Sequence, residues 1–209
     1  MARIFKLDFK ILFCLCFICV LASSAHATPL IKWKLKSILN PGRALDIQSN
    51  AFKTMVPVEC GDDWSGLLIP ENIDASRTLK VEMQYRTVLS VLDKGPHLDL
   101  TDWVYYDSPW KPLIKNSEGH FEVREIDAKD RSAFPFVTKS EFLKAVKKQS
   151  AAGSGRSSKD WQNIAKQCLG PTVYPCAVVV REIFLRVFEI GPNGSSRKIQ
   201  EIELKDMGC

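Results

Sequence analysis

The chain has 209 residues, 45% of them hydrophobic and 25% charged, with a formal net charge of +5 and seven cysteines. Such a composition excludes an intrinsically unfolded or low-complexity chain, whose apolar content is too small to build a core. It also argues against a nucleic-acid binder, which needs a dense basic stripe rather than a mild surplus.

Residues 1–27 read as a secretory signal. Arg3, Lys6 and Lys10 precede an unbroken apolar run over residues 11–21, and Ala25 and Ala27 supply the small side chains behind which a signal peptidase cuts. A helix needs about 20 apolar residues to span a bilayer, so this run predicts no membrane anchor after cleavage. The mature protein, residues 28–209, is expected in the periplasm or outside the cell as a single domain. Cleavage removes three basic residues and one acidic one, which leaves a surplus of +3.

Cys14, Cys16 and Cys19 leave with the signal, and Cys60, Cys168, Cys176 and Cys209 remain. An even count in an oxidising compartment predicts two disulfides. Of the three pairings, Cys168–Cys176 closing a short loop and Cys60–Cys209 tying down the C-terminus are favoured. No two of these cysteines are separated by only two residues, so a zinc site of four thiolates is not expected. No metal or other cofactor is expected.

Taken in chain order, residues 28–36 mix Leu30, Ile31, Trp33 and Leu35 with lysines, the pattern of an edge strand or a docking arm. Asn40-Pro41-Gly42 is a turn. Residues 44–58 hold one or two short strands, and Cys60 to Gly66 form a polar loop. The strongest strand signal lies over residues 79–92. Leu79, Val81, Met83, Tyr85, Leu89 and Val91 share one face, and Lys80, Glu82, Gln84 and Arg86 the other. A turn at Asp93-Lys94-Gly95-Pro96 leads to a second strand over residues 97–107, completing a hairpin.

Two helices follow. Thr138 and Glu141 stand in capping-box spacing ahead of Phe142, Leu143 and Val146, with Lys144, Lys147 and Lys148 on the outer face. A small, polar loop over residues 150–158 precedes Trp161, Ile164, Ala165 and Cys168 at helical spacing. Residues 177–190 are apolar on both faces, as in a central strand. Asn193-Gly194 turns the chain, or carries a glycan in a eukaryotic host. Residues 198–204 return as an edge strand, in which the differing parity of Ile199 and Ile202 predicts a bulge. The expected fold class is α+β: a mainly antiparallel β-sheet with two short helices inserted before the C-terminal hairpin.

No nucleophile elbow, zinc-protease motif or phosphate loop is present. The mature chain has two histidines, His97 and His120, without a spacing that points to acid–base catalysis. Asp62 and Asp63 are too few for a calcium loop. Trp103, Tyr105 and Trp110 can supply rigid recognition anchors, and Lys144, Lys147 and Lys148 can steer an acidic partner. The expectation is therefore a non-enzymatic binding protein, of inhibitor or immunity type, directed at an envelope-acting enzyme. Its partner is a protein, with a glycan or wall fragment as a further candidate ligand. The alternatives are an exported hydrolase of cell wall or nucleic acid, using His97 or His120 with Asp62 or Asp63, and a component of an envelope assembly or secretion apparatus.

Intact mass spectrometry of the exported protein is expected to show a chain beginning at Thr28. A full-length, membrane-embedded product would overturn the export reading.

Overall fold

The computed structural model describes residues 30–40, 42–48, 51–59, 65–74, 76–151 and 156–206. The signal segment 1–27, Cys60, Asp62, Asp63 and Cys209 lie outside the described residues. The chain first forms β1 (Lys32–Ser37), β2 (Ala44–Ile47), β3 (Lys53–Val58), β4 (Gly66–Glu71) and the long β5 (Thr78–Leu92). Short strands follow: β6 (His97–Asp99), β7 (Tyr105–Asp107), β8 (Lys111–Pro112), β9 (Ile114–Lys115) and β10 (Phe121–Val123). Helices α1 (Ala128–Ser132), α2 (Lys139–Ala151) and α3 (Ser158–Ala165) lead into β11 (Cys176–Ile190) and β12 (Ser196–Asp206). The fold is α+β and mainly β, as the strand patterning predicts.

Its strands divide between two sheets. The smaller has the order β2-β1-β4-β10-β9 and is antiparallel throughout. The larger runs β3-β12-β11-β5, and β6, β7 and β8 pair in succession along the far edge of β5. Its one parallel pairing among the described residues joins β12 to β3.

Strands β5 and β11 each have 15 residues and pair over almost their full length, from Thr78↔Ile190 to Val91↔Cys176. That length carries two cores on one face. Leu79, Val81, Met83 and Tyr85, with Ile183, Leu185 and Val187, pack against Trp33, Leu35, Leu68 and Phe121 of the smaller sheet. Leu89, Val91 and Val178 lie beneath Phe142, Ala145 and Val146 of α2 and Trp161 and Ala165 of α3. A register shift between Val180 and Glu182 separates the two halves of β11. Both helices carry the apolar stripes expected of them. The capping box of α2 is formed, with Thr138 N–H donating to Glu141 Oε2 (3.0 Å) and Glu141 N–H to Thr138 Oγ1 (3.3 Å). The Thr138 hydroxyl, donating to Glu141 Oε2 (2.6 Å), and the Thr138 N–H bond together hold the Glu141 carboxyl below its ordinary range, so they support α2 above that range and weaken as acid protonates it.

Two expectations need correction. Strand β1 is not at an edge, because β2 and β4 flank it on both sides and bury Trp33. Strand β12 is likewise interior, since β3 adds beside it. Alternating polarity reports how many faces of a strand are buried, not how many neighbours its backbone has. The bulge expected in the last strand is present: Val187 pairs with Gln200 and Phe188 with Lys198, leaving Ile199 as the extra residue. The expected strand over 97–107 is interrupted and survives as β6 and β7, while α1 goes unannounced by any apolar periodicity.

A buried clasp joins the sheets. Trp33 Nε1 donates to Gln200 Oε1 (3.1 Å), and Gln200 Nε2 donates to the Ile31 carbonyl (3.1 Å). Gln200 is fully buried with both ends of its amide partnered, so a polar group in the core is satisfied rather than costly.

Gly66 makes the tightest backbone approach in the smaller sheet. A Cβ there would lie 2.2 Å from the Lys36 carbonyl oxygen, so β1 and β4 would have to separate. Chemical denaturation is expected to show Gly66→Ala destabilised by about 1–3 kcal/mol, with Gly42→Ala, which meets open space, within about 0.5 kcal/mol of the parent.

Candidate functional site

Strand pleating sends the even-numbered residues of β5 away from both cores. Lys80, Glu82, Gln84 and Arg86 therefore line the opposite face of the larger sheet, together with Glu182, Phe184, Arg186 and Phe188 of β11 through register. Glu201, Glu203 and Lys205 of β12, and Lys53 and Met55 of β3, extend the same face. Tyr105 and Asp107 of β7 complete it on the far side. Its residues range in exposure from Glu182, at 7%, to Met55, at 63%.

Arg86 organises this surface. Its Nε and Nη2 donate to the two carboxylate oxygens of Asp107 at 2.8 and 2.9 Å, and its Nη1 donates to Glu182 Oε2 at 2.8 Å. Its guanidinium carbon lies 4.5 Å from the Tyr105 ring centroid and 5.0 Å from that of Phe184. Hydrogen bonding to Asp107, reinforced by both carboxylates, raises the Arg86 pKa against the opposing effect of burial, so its charge is permanent. The second arginine, Arg186, stacks on Trp110 with 3.7 Å between guanidinium carbon and ring centroid. Its Nε is 3.8 Å from Glu201, too far for a hydrogen bond, and finds no acceptor among the described residues. Between the two stacks lies a shallow cavity of about 180 Å³ lined by Gln84, Arg86, Trp110, Phe184, Arg186 and Glu203, among others.

The aromatic and lysine residues singled out in the sequence do not form one surface. Tyr105, 53% exposed, and Trp110 belong to this open face. Trp103 packs on the helix side, its ring 6.2 Å from that of Phe142. Lys144, Lys147 and Lys148 are exposed on α2, which covers the other face of the sheet. Among the disulfide candidates, Cys168 and Cys176 are bonded, with a Cα–Cα distance of 5.5 Å. Arg86 was legible as an outward residue, but Phe184 and Phe188 read as core because β11 is apolar on both faces. On the open side these rings are covered by Arg86 and Lys80 rather than by a further layer of protein.

The histidines lie apart, and His97 alone is hydrogen-bonded to its neighbouring carboxylate, whereas His120 Nδ1 makes no hydrogen bond among the described residues. His97 Nδ1 is 3.0 Å from Asp99 Oδ1 at the start of β6, and His120 Nδ1 is 3.2 Å from Glu118 in the turn before β10. Among the described residues no group of three or more His, Cys, Asp or Glu side chains is placed to hold a metal ion. None of their helices is long and apolar enough to cross a membrane.

The bidentate geometry predicts that Arg86 and Asp107 act as a unit. A double-mutant cycle of Arg86→Lys and Asp107→Asn, read by urea denaturation, is expected to give a coupling free energy of about 1 kcal/mol or more. Additive effects would mean that solvent screens the pair.

No protein-family model, curated protein or solved structure matches the chain.

Proposed function

We propose that this is an exported, non-enzymatic binding protein, of inhibitor or immunity type, that engages a protein partner through the open face of the larger sheet. The observation that carries the reading is the Tyr105–Arg86–Phe184 sandwich beside the Arg186–Trp110 stack. Arginine, tyrosine and tryptophan are the residue types that dominate binding energy at protein interfaces. Here their side chains are held by ion pairs and ring contacts before any partner arrives, which lowers the conformational entropy lost on binding. The Cys168–Cys176 disulfide supports export, because such bonds persist in oxidising compartments. An envelope-acting enzyme remains the partner class favoured by the signal-like N-terminal sequence.

The test is a photo-crosslinking residue in place of Met55, which is exposed on this face, followed by incubation with an envelope fraction and purification of the adduct. The expected outcome is a discrete adduct, with affinity for the isolated partner lowered by about 2 kcal/mol or more in Tyr105→Ala and Trp110→Ala. His97→Ala and His120→Ala are expected to keep full binding. A partner whose capture ignores both aromatic variants would rule out this face. Hydrolytic activity that either histidine variant abolishes, with folding intact, would favour the hydrolase.

A further inference from the structure

A second surface lies on the helical end of the molecule and is independent of the open sheet face. Phe136 and Leu169 are the two most exposed large apolar side chains among the described residues, at 91% and 84%, and Tyr174 and Leu39 follow at 65%. Leaving a phenylalanine or leucine in water forgoes about 1.5–3 kcal/mol of burial. Phe136 and Leu169 stand on a groove of about 360 Å³ whose deeper lining includes Leu89, Phe142 and the Cys168–Cys176 disulfide.

The groove is built rather than incidental. Its far wall, residues 169–175, is clamped at both ends by the disulfide. Inside that clamp Val173 N–H donates to the Gly170 carbonyl (3.2 Å), and Cys176 N–H donates to the Val173 carbonyl (2.9 Å). On the near side Lys139 Nζ donates to the Lys166 carbonyl (2.7 Å), tying the start of α2 to the end of α3. The exposed tips therefore stand on a braced frame, and little ordering remains for a ligand to impose.

Lys139 is the charged side chain in the lining, and the charge of the segment that supplies most of that lining selects the ligand. Residues 136–174 hold seven Lys and Arg against two Asp and Glu, a surplus of five that equals the surplus of the entire chain. Against the surplus of +3 expected after cleavage, the remainder of the mature chain carries a deficit of two, and Arg156 is paired with Asp93 in that remainder. A segment with this surplus accelerates encounter with acidic partners over roughly a Debye length of 10 Å.

We infer that this groove is a docking site for an acidic, amphipathic segment of another protein, whose apolar side chain enters between Phe136 and Leu169 while its carboxylates face the lysines of α2 and α3.

The probe is a fluorescein-labelled synthetic peptide with Leu and Phe at helical spacing and Glu elsewhere, measured by anisotropy against a twin carrying Lys in place of Glu. Saturable binding of the acidic peptide alone is expected. Phe136→Ser and Leu169→Ser should each weaken it by about tenfold or more with melting temperature unchanged, since both side chains are exposed. Charge reversal at Lys144, Lys147 and Lys148 should slow association and leave dissociation nearly unaltered. Tyr105→Ala should have no effect, which separates this site from the sheet face. Equal binding of both peptides, no acidic-peptide binding, insensitivity to both serine variants, or binding only to phosphatidylglycerol vesicles would overturn the inference.

Discussion

The pairing of β5 with β11 is the constraint on which the rest depends. Two 15-residue strands, joined over nearly their whole length, make a ribbon too long for one partner layer to cover. The smaller sheet covers one half of its inner face, and the helices cover the other. Because side chains alternate along a strand, fixing the inner face also fixes the outer one. The position of Arg86 above Tyr105 and Phe184 is thus decided by the burial of Tyr85 and Val81 on the reverse side. A slip of one residue between β5 and β11 would exchange core and surface over the ribbon.

Features that depend on neighbours in sequence were legible from the amino acids alone. The alternation of Leu79 to Tyr85, the Thr138/Glu141 capping box, the Trp161–Ala165 stripe and the parity break at Ile199 each involve residues a few positions apart. Features that depend on distant strands were not. Nothing within residues 28–36 reveals that β1 has two neighbours, and nothing near residue 202 reveals β3 beside it. The open sheet face was only half visible for the same reason. Tyr105 and Trp110 stood out as aromatic, but their arginine partners come from β5 and β11 and meet them only through register.

The two surfaces differ in physical character. On the sheet face charges are internally paired: Arg86 with Asp107 and Glu182, Lys53 with Glu203, Lys205 with Glu182. Such a surface projects little net field, and the binding proposed for it rests on shape and stacking. The helical end differs, with an apolar groove lined mostly by a segment that carries a surplus of basic residues. Arg156 paired with Asp93 and the Cys168–Cys176 bond couple that end to β5 and β11, so both surfaces are mounted on the same two strands.

The Trp33–Gln200 clasp spans 167 positions, and the Gln200–Ile31 bond spans 169. Local contacts form first in a folding chain, whereas contacts this distant require large loops to close. Strand β1 therefore cannot complete its burial of Trp33 until β12, almost at the other terminus, has emerged. An N-terminal segment of this protein lacks its final partner while the chain is still being made, and native closure waits for the last strand. A polypeptide threaded end-first through a narrow pore benefits from that delay, because the portion on the near side stays unlocked until the far end is free to join it.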